Sequence, residues 1–544
     1  MIGYSMFPNR YVDDHAADIK KIYDGFFYSV GTWENARARF EGAAPKDQAW
    51  LDATRKNIAA FRAAGATENF LTVAFGQDAA WPSPETLLSK DYTETMIAEF
   101  GALARVARSL GFRGLCIDVE YPFPRYELDH AVYTYKGYTA ATLIAAARNQ
   151  GRGLMKAILK EFPDAVIWNL PGDAYRTRPI GRELSLGMLD AMAEVDAPGG
   201  LHQGTEFTYS LNEAVTHLAT ARVEDVAIHR IVDRKTAAYW RKRCTMAPGV
   251  WPLHMVETEG KDYPIQPWKD EMKELTEQMG ILRASSKRYI WSFTSNPAWY
   301  VYTPELESKY GLKKQDLKRD DVDLSLWHDL LKSKRAQVPA RIAPLLAAVK
   351  SFDRGEISGD QLTQRFGTPA RWWVLGYVSH VLKVPQFTAE EALAEPNTDT
   401  HRMYTGRDQA VRWFQYDSLD PRGFVNPRYI FDYHKTDAAG AHFRTYVQSP
   451  SAREAVIHIG WDDIVTIRLN GNIIFDTRNS AKTVKGALYR DRYLFEKTFP
   501  INLKQGSNRL EISSYNSHGV WVFATRITGK DGVPFPDLRF TTAE

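Results

Sequence analysis

Cysteine is nearly absent: Cys116 and Cys244 are the only two in 544 residues. They are far apart and match no metal-ligand spacing, so neither a disulfide framework nor a zinc site is suggested, and two buried free thiols are expected. Long apolar runs are missing as well. No stretch approaches the roughly 20 residues that span a bilayer, and the first residues lack the basic, apolar and small-residue sections of a signal peptide. The chain opens inside a strand-like run, Ile2 to Phe7, so a leader removed ahead of Met1 stays open, and with it a cytoplasmic or a periplasmic or secreted location. The third absence is an excess of charge. Lys plus Arg number 69 against 66 Asp plus Glu, which removes any bulk electrostatic argument for nucleic acid or a membrane surface as partner. The fourth is of motifs: there is no Walker loop, dinucleotide fingerprint, nucleophile-elbow serine or HExxH, so no organic cofactor and no metal are expected.

What is present is aromatic: 15 Trp, 27 Tyr and 26 Phe, many at the ends of apolar runs. At this length two or three domains are expected. Up to Trp299 a short apolar run alternates with a longer amphipathic segment. Read as strands, the runs are Ile2 to Phe7, Phe26 to Val30, "NFLTVAFG", "GLCIDVEYP", "AVIWNLPG", "GLHQGTEF", "WPLHMVET" and "RYIWSFTS". Between them Thr95 to Leu110, Leu143 to Leu159 and Asp270 to Leu282 carry helical spacing, and Gly111 stands where a left-handed C-cap would end the first. Eight strands alternating with helices predict an α/β fold closed as a (β/α)₈ TIM barrel. An open doubly wound sheet would carry a glycine-rich turn after its first strand, and "SMFPNRY" is not one.

Beyond residue 300 the chain turns charged and then helical, and one of these helices is expected to close the barrel. From about Ala370 the hydrophobic period becomes two, with "NG" at a tight turn, which predicts a separate all-β sandwich. The boundaries read as 1–345 for the barrel, 346–369 for a helical connector and 370–544 for the sandwich. "RWWVLGYV", "AVRWFQY", "HIGWDDIVTIRLNGNIIF", "FPINLKQGSNRLEIS" and "GVWVFATRITGKDG" resemble the jelly-roll or galactose-binding-like accessory domain appended to bacterial carbohydrate-active enzymes. The resemblance covers the last third of the chain and implies a fold rather than an activity. Asp462 and Asp463 are expected to shape a turn. The sandwich is expected to brace the barrel, with a homodimer contact left open.

A barrel of this kind works at the C-terminal ends of its strands, so polar residues closing each run are the informative ones. In "GLCIDVEYP" strand alternation puts Cys116, Asp118 and Glu120 on one side, facing the barrel interior or its mouth. A carboxylate there is costly unless paired, hydrogen-bonded or used. Glycoside hydrolysis uses two carboxyl groups, one protonated to donate to the leaving oxygen and one ionised to attack or to activate water. Crowding two acids separates their pKa values in the required way. The same segment resembles the strand-four motif of family 18 chitinases, where alternating aspartates lead to a glutamate followed by Tyr-Pro. The resemblance implies Glu120 as general acid and Asp118 as the residue that orients a substrate acetamido group. Arg113, Cys116 and Val119 depart from that pattern.

A second carboxylate could come from Glu206, ending the sixth run, or from Glu257, ending the seventh; Glu259 reads as solvated. His254 has no converging ligand set. Asn169, closing "IWNLPG", is placed to bind a sugar hydroxyl, and Tyr4, Trp81, Tyr121, Trp291 and Trp299 suit stacking on sugar faces. The sequence therefore points to a glycoside hydrolase with a carbohydrate substrate. A non-catalytic carbohydrate-binding barrel and a polysaccharide lyase stay open beside it.

Overall fold

A computed structural model describes residues 1–543 except 76–83, 120–137, 171–178, 210–212, 254–266, 318, 334–337, 380–391, 394, 396–397, 407–409, 419, 432–436, 479–494, 496 and 518–520. Eight parallel strands, β1 (Ile2–Met6), β2 (Gly25–Thr32), β3 (Phe70–Ala74), β4 (Gly114–Asp118), β5 (Val166–Leu170), β6 (Leu201–Thr205), β7 (Thr245–Val250) and β8 (Trp291–Ser292), close into a barrel. Closure is made where Ile2 pairs with Trp291 and Gly3 with Ser292. β3, β4 and β5 run in register without a break, so their interior side chains lie at matching levels.

Seven strands fall where hydrophobic patterning puts them. The seventh does not: β7 is "TMAPGV", and the run "WPLHMVET" begins only after it has ended. Pro248 pairs with Thr205 inside the barrel wall, although proline and glycine together normally punctuate a chain rather than build a strand.

The helices follow their apolar faces. Lys90–Leu110 starts at Ser89, whose side chain accepts the Tyr92 amide, and ends at Gly111 with φ of 83°. Ala140–Glu161 packs on Pro179–Glu194. Leu324–Ser333 is the last helix of the ring: Trp327 Nε1 donates to the Tyr23 hydroxyl at 3.1 Å, and Arg283 donates to the Leu330 carbonyl at 3.3 Å. Among the described residues no helix is long and apolar enough to cross a membrane. Cys116 and Cys244 are buried and unbridged, as composition suggested.

The chain divides into two compact units, residues 1–211 with 231–338, and residues 212–230 with 339–544. The helices after β6, Ala214–Thr220 and Val223–Ile231, thus lie largely in the second unit. There Arg222 pairs with Asp225 at 3.3 Å and Asp353 at 3.6 Å, and Arg230 with Asp360 at 2.8 Å and Asp417 at 3.3 Å.

The rest of the second unit is antiparallel. Its strands are β9 (Arg371–Ser379), β10 (Tyr404–Thr405), β11 (Ala410–Val411), β12 (Phe414–Asp417), β13 (Phe424–Val425), β14 (Ala439–Ser449), β15 (Arg453–Trp461), β16 (Ile464–Leu469), β17 (Asn472–Asp476), β18 (Lys497–Leu503), β19 (Gly506–Asn516), β20 (Phe523–Thr528) and β21 (Arg539–Thr541). One sheet runs β12-β9-β14-β19-β16-β17 with β21 beside β14, the other β13-β20-β15-β18. Alternate residues of both, such as Val374, Phe443, Ile457, Ile467, Ile512 and Phe523, form one apolar core. Asn470 and Gly471, both at positive φ, make the tight turn between β16 and β17. Asp462 and Asp463 form a turn too, the Asp463 carboxylate accepting from the Ser517 amide at 2.6 Å and hydroxyl at 2.7 Å. Among the described residues no cluster of His, Cys, Asp and Glu could hold a metal ion.

His217, in the helix Ala214–Thr220, is fully buried, with no partner for either ring nitrogen among the described residues. Burial pushes its pKa down from 6.5 to about 4, against a smaller opposing pull from the Glu213 charge. Between those two values the unfolded chain holds a proton that the folded chain does not, so stability falls as pH drops through the window. His217→Met removes both the titration and the unpaired nitrogens. It is expected to raise the melting temperature, and by more at about pH 5 than at about pH 7.5; equal melting at the lower pH would contradict this.

Candidate functional site

Strand parity decides which side chains reach the barrel interior. Phe70, Cys116, Trp168, Leu170, Ala247 and Trp291 pack there together. On β4 this places Asp118, the last residue of the strand, in the same inward row as Cys116. Asp118 is half-buried. Burial first, and the Asp118 charge second, push the Cys116 thiol well above its ordinary value.

β6 supplies the second carboxylate. A side chain on Gly204 would strike Leu170 Cδ2 at 2.0 Å and approach Trp291 Nε1 at 3.4 Å, so that position faces inward, and Glu206 continues its row one step past the strand. Glu206 is half-buried and opens a turn in which its carbonyl accepts the Tyr209 amide at 2.9 Å. Thr208 ties the turn down by donating to the Gly249 carbonyl at 2.7 Å. The turn folds Tyr209 back over the barrel end, where Gly249 leaves room for it: a Cβ there would meet Tyr209 Cε1 at 2.6 Å.

Around Tyr209 the ends of β7, β8 and β1 bring aromatic rings together. Trp251 follows β7 directly, Phe293 follows β8, and Tyr4 lies on β1. Phe293 stands 4.9 Å from Trp251, 5.1 Å from Tyr4 and 5.7 Å from Tyr209 between ring centroids, the last pair stacked. Trp291 lies beneath, buried, 5.5 Å from Tyr209 and 6.1 Å from Tyr4. One end of the barrel therefore presents carboxylates on β4 and after β6, and an aromatic wall running from the β6 turn to β1.

Of the residues singled out in the sequence, the structure brings Asp118, Glu206, Tyr4 and Trp291 to this end. Asn169 goes elsewhere. It sits out of phase with Trp168, fully buried, and its amide donates to Ser185 Oγ in the helix layer at 2.9 Å and to Gln203 Oε1 at 3.0 Å. Trp299 is buried among Phe7, Tyr11, Phe26 and Tyr300, in the layer outside the strands. Glu120, Tyr121, Trp81 and Glu257 lie outside the described residues, and β7 ends at Val250. Tyr209, Trp251 and Phe293 were missed. Alternation from Trp291 pointed to Phe293 and the corrected strand points to Trp251, whereas nothing local signals that Tyr209 folds back.

No family model and no curated protein matches the chain, so neither resemblance gains support from that side. Solved structures that resemble it include a 2-naphthoyl-CoA reductase complex, 11% identical over 54% of this chain and 47% of that one, with a TM-score of 0.29. This chain spans about half the length of that reductase. An endo-beta-1,4-glucanase from Xanthomonas axonopodis pv. citri is 15% identical over 59% of this chain and 90% of its own, TM-score 0.31. A glucosidase from Croceicoccus marinus is 9% identical over 94% of each chain, TM-score 0.31. Several such neighbours are glycosidases, but at these scores none speaks to this chain's chemistry, which has to be read from its own residues.

Proposed function

We propose that the barrel is a glycoside hydrolase acting on an oligosaccharide or polysaccharide. The observation that carries this reading is the union, at one barrel end, of the Asp118 and Glu206 carboxylates with the wall of Tyr4, Tyr209, Trp251 and Phe293. Sugars present C–H faces that pack on aromatic rings and hydroxyls that pair with carboxylates, and hydrolysis of the bond between them needs two carboxyl groups.

Glu120, two residues after Asp118 in the chain, takes the role of general acid and gives its proton to the leaving oxygen. Asp118, as a carboxylate, raises the affinity of that acid for its proton and orients it or meets the substrate. Glu206 attacks the anomeric carbon or draws the proton from water. Trp251, not a carboxylate, takes the mouth position of β7, which favours Glu206 over Glu257 as the second acid. No cofactor is needed for this chemistry.

The test is release of reducing ends from a panel of bacterial and plant glycans, wild type against Glu120→Gln. Loss of a general acid is expected to lower kcat by about a hundredfold or more. Equal rates would make Glu120 structural. Sugar binding without turnover in either form would favour the non-catalytic barrel, and products absorbing in the ultraviolet a lyase.

A further inference from the structure

The sheet β12-β9-β14-β19-β16-β17 carries an unbalanced charge on its outer face. Strand alternation turns Phe443, Ile467 and Ile512 into the core and their neighbours outward: His442 and Arg444 on β14, Thr466 and Arg468 on β16, Glu511 and Ser513 on β19. Arg509 shares the row of Glu511, and Asp476 of β17 pairs with Thr466. Next to β9 this face is covered by the apolar cluster that holds Leu375, Leu393 and Trp413. Towards β16 and β17 it is polar.

The carboxylates there are already engaged. Glu511 pairs with Arg444 at 2.7 Å and faces Arg509 at 3.4 Å. Asp476 accepts from Nε and Nη2 of Arg478 at 3.0 and 2.7 Å, and from Thr466 Oγ1 at 3.1 Å. Arg468 is left over. Among the described residues no carboxylate lies within ion-pair distance of it, and its guanidinium makes one hydrogen bond, from Nη1 to Ser513 Oγ at 3.3 Å. Four guanidinium groups thus share two carboxylates.

The excess is felt at His442, which is buried with Nδ1 at 2.7 Å from Ser513 Oγ. Burial first, then the charges of Arg468, Arg444 and Arg478, push its pKa down to about 3. A positive potential of this kind draws an anion. Solvent reaches the edge of the patch: Arg468 is half-buried and the Arg478 side chain 37% exposed. Tyr515 continues the row of Ser513, half-buried, its ring 6.2 Å from that of His442. Guanidinium donors pair with carboxylate or sulfate oxygens, and an aromatic face beside them suits a sugar ring that carries such a group.

We propose that this part of the sheet, from Arg468 and Arg478 to Tyr515, is a binding site for an acidic glycan, whose carboxylate or sulfate oxygens take the remaining donors of Arg468. The site lies within the second unit and stands whether or not the barrel cleaves a glycan.

The experiment is isothermal titration calorimetry of the full chain, as wild type, Arg468→Gln and Arg468→Lys. The probes are oligogalacturonides, a sulfated galactan oligosaccharide, the neutral galactan oligosaccharide of the same backbone, and inorganic sulfate. The wild type is expected to bind at least one acidic glycan about tenfold or more tighter than the neutral one, and more weakly as salt rises. Arg468→Gln loses about tenfold or more of that affinity, and Arg468→Lys recovers part of it. The proposal is overturned by a wild type that binds neither acidic glycan, by equal affinity for the neutral one, or by affinity unchanged in Arg468→Gln. Binding of inorganic sulfate alone overturns it as well, reducing the patch to a site for a free anion. If Arg468→Gln does not fold, Arg468→Lys and Arg478→Gln decide by the same comparison.

Discussion

Asp118→Asn lowers the rate of glycan cleavage by about a hundredfold or more, without a comparable loss of stability. Asparagine matches aspartate in shape and keeps one oxygen acceptor, so packing at the end of β4 is preserved and only the charge is lost. That charge sits half-buried, close enough to Cys116 to push the thiol upward. In the proposed mechanism the same charge acts on Glu120, two residues further along the chain. A negative neighbour favours the protonated form of an acid, so removing it lets Glu120 ionise at lower pH. The alkaline limb of the pH–rate profile, where the general acid is lost, moves down by about one unit. Rates measured across pH for wild type and Asp118→Asn check both effects. An unchanged profile and rate would mean that Asp118 only supports the strand end.

Arg444→Met costs the second unit about 3–5 kcal/mol. Arg444 on β14 and Glu511 on β19 are both fully buried, 2.7 Å apart. The guanidinium lies over the Trp413 ring at 4.9 Å and donates to the Ala392 carbonyl at 2.8 Å and the Glu395 carbonyl at 3.2 Å. Methionine fills much of the volume but leaves Glu511 charged in the interior, facing Arg509 at 3.4 Å alone among its ion-pair partners. Removing one partner of a buried pair is the costly case; replacing both by apolar residues can be neutral. Arg444→Met is expected to lower the melting temperature of this unit by about 10 °C, and Glu511→Leu added to it to restore most of the loss. Thermal unfolding of the two variants tests this, and a single variant as stable as wild type would show that the pair contributes little.

Much of the barrel was legible because apolar runs and amphipathic helices alternate without interruption. β4 begins where the run "GLCIDVEYP" begins, though it ends at Asp118, and the alternation of that run put Asp118 on the same side as Cys116. β7 was not legible, since Pro248 and Gly249 carry the signature of a turn, and only pairing with Thr205 and Ser292 from both sides makes a strand of that segment. Asn169 shows a different limit. In a strand buried on both faces nothing in the sequence says which parity faces the axis, and here Trp168 took it. Tyr209 depends on Trp251, Trp291 and Phe293, and the excursion 212–230 on Arg526, Asp353 and Asp360, contacts far along the chain that no local pattern encodes.

The proposed reaction adds water across a glycosidic bond at this barrel end. The direct measurement is mass spectrometry of glycan digests made in water enriched in heavy oxygen. Wild-type products are expected to carry the heavy isotope at their new reducing ends, with almost none formed by Glu120→Gln. Cleaved products without the heavy isotope, or intact glycans with every substrate, would contradict it.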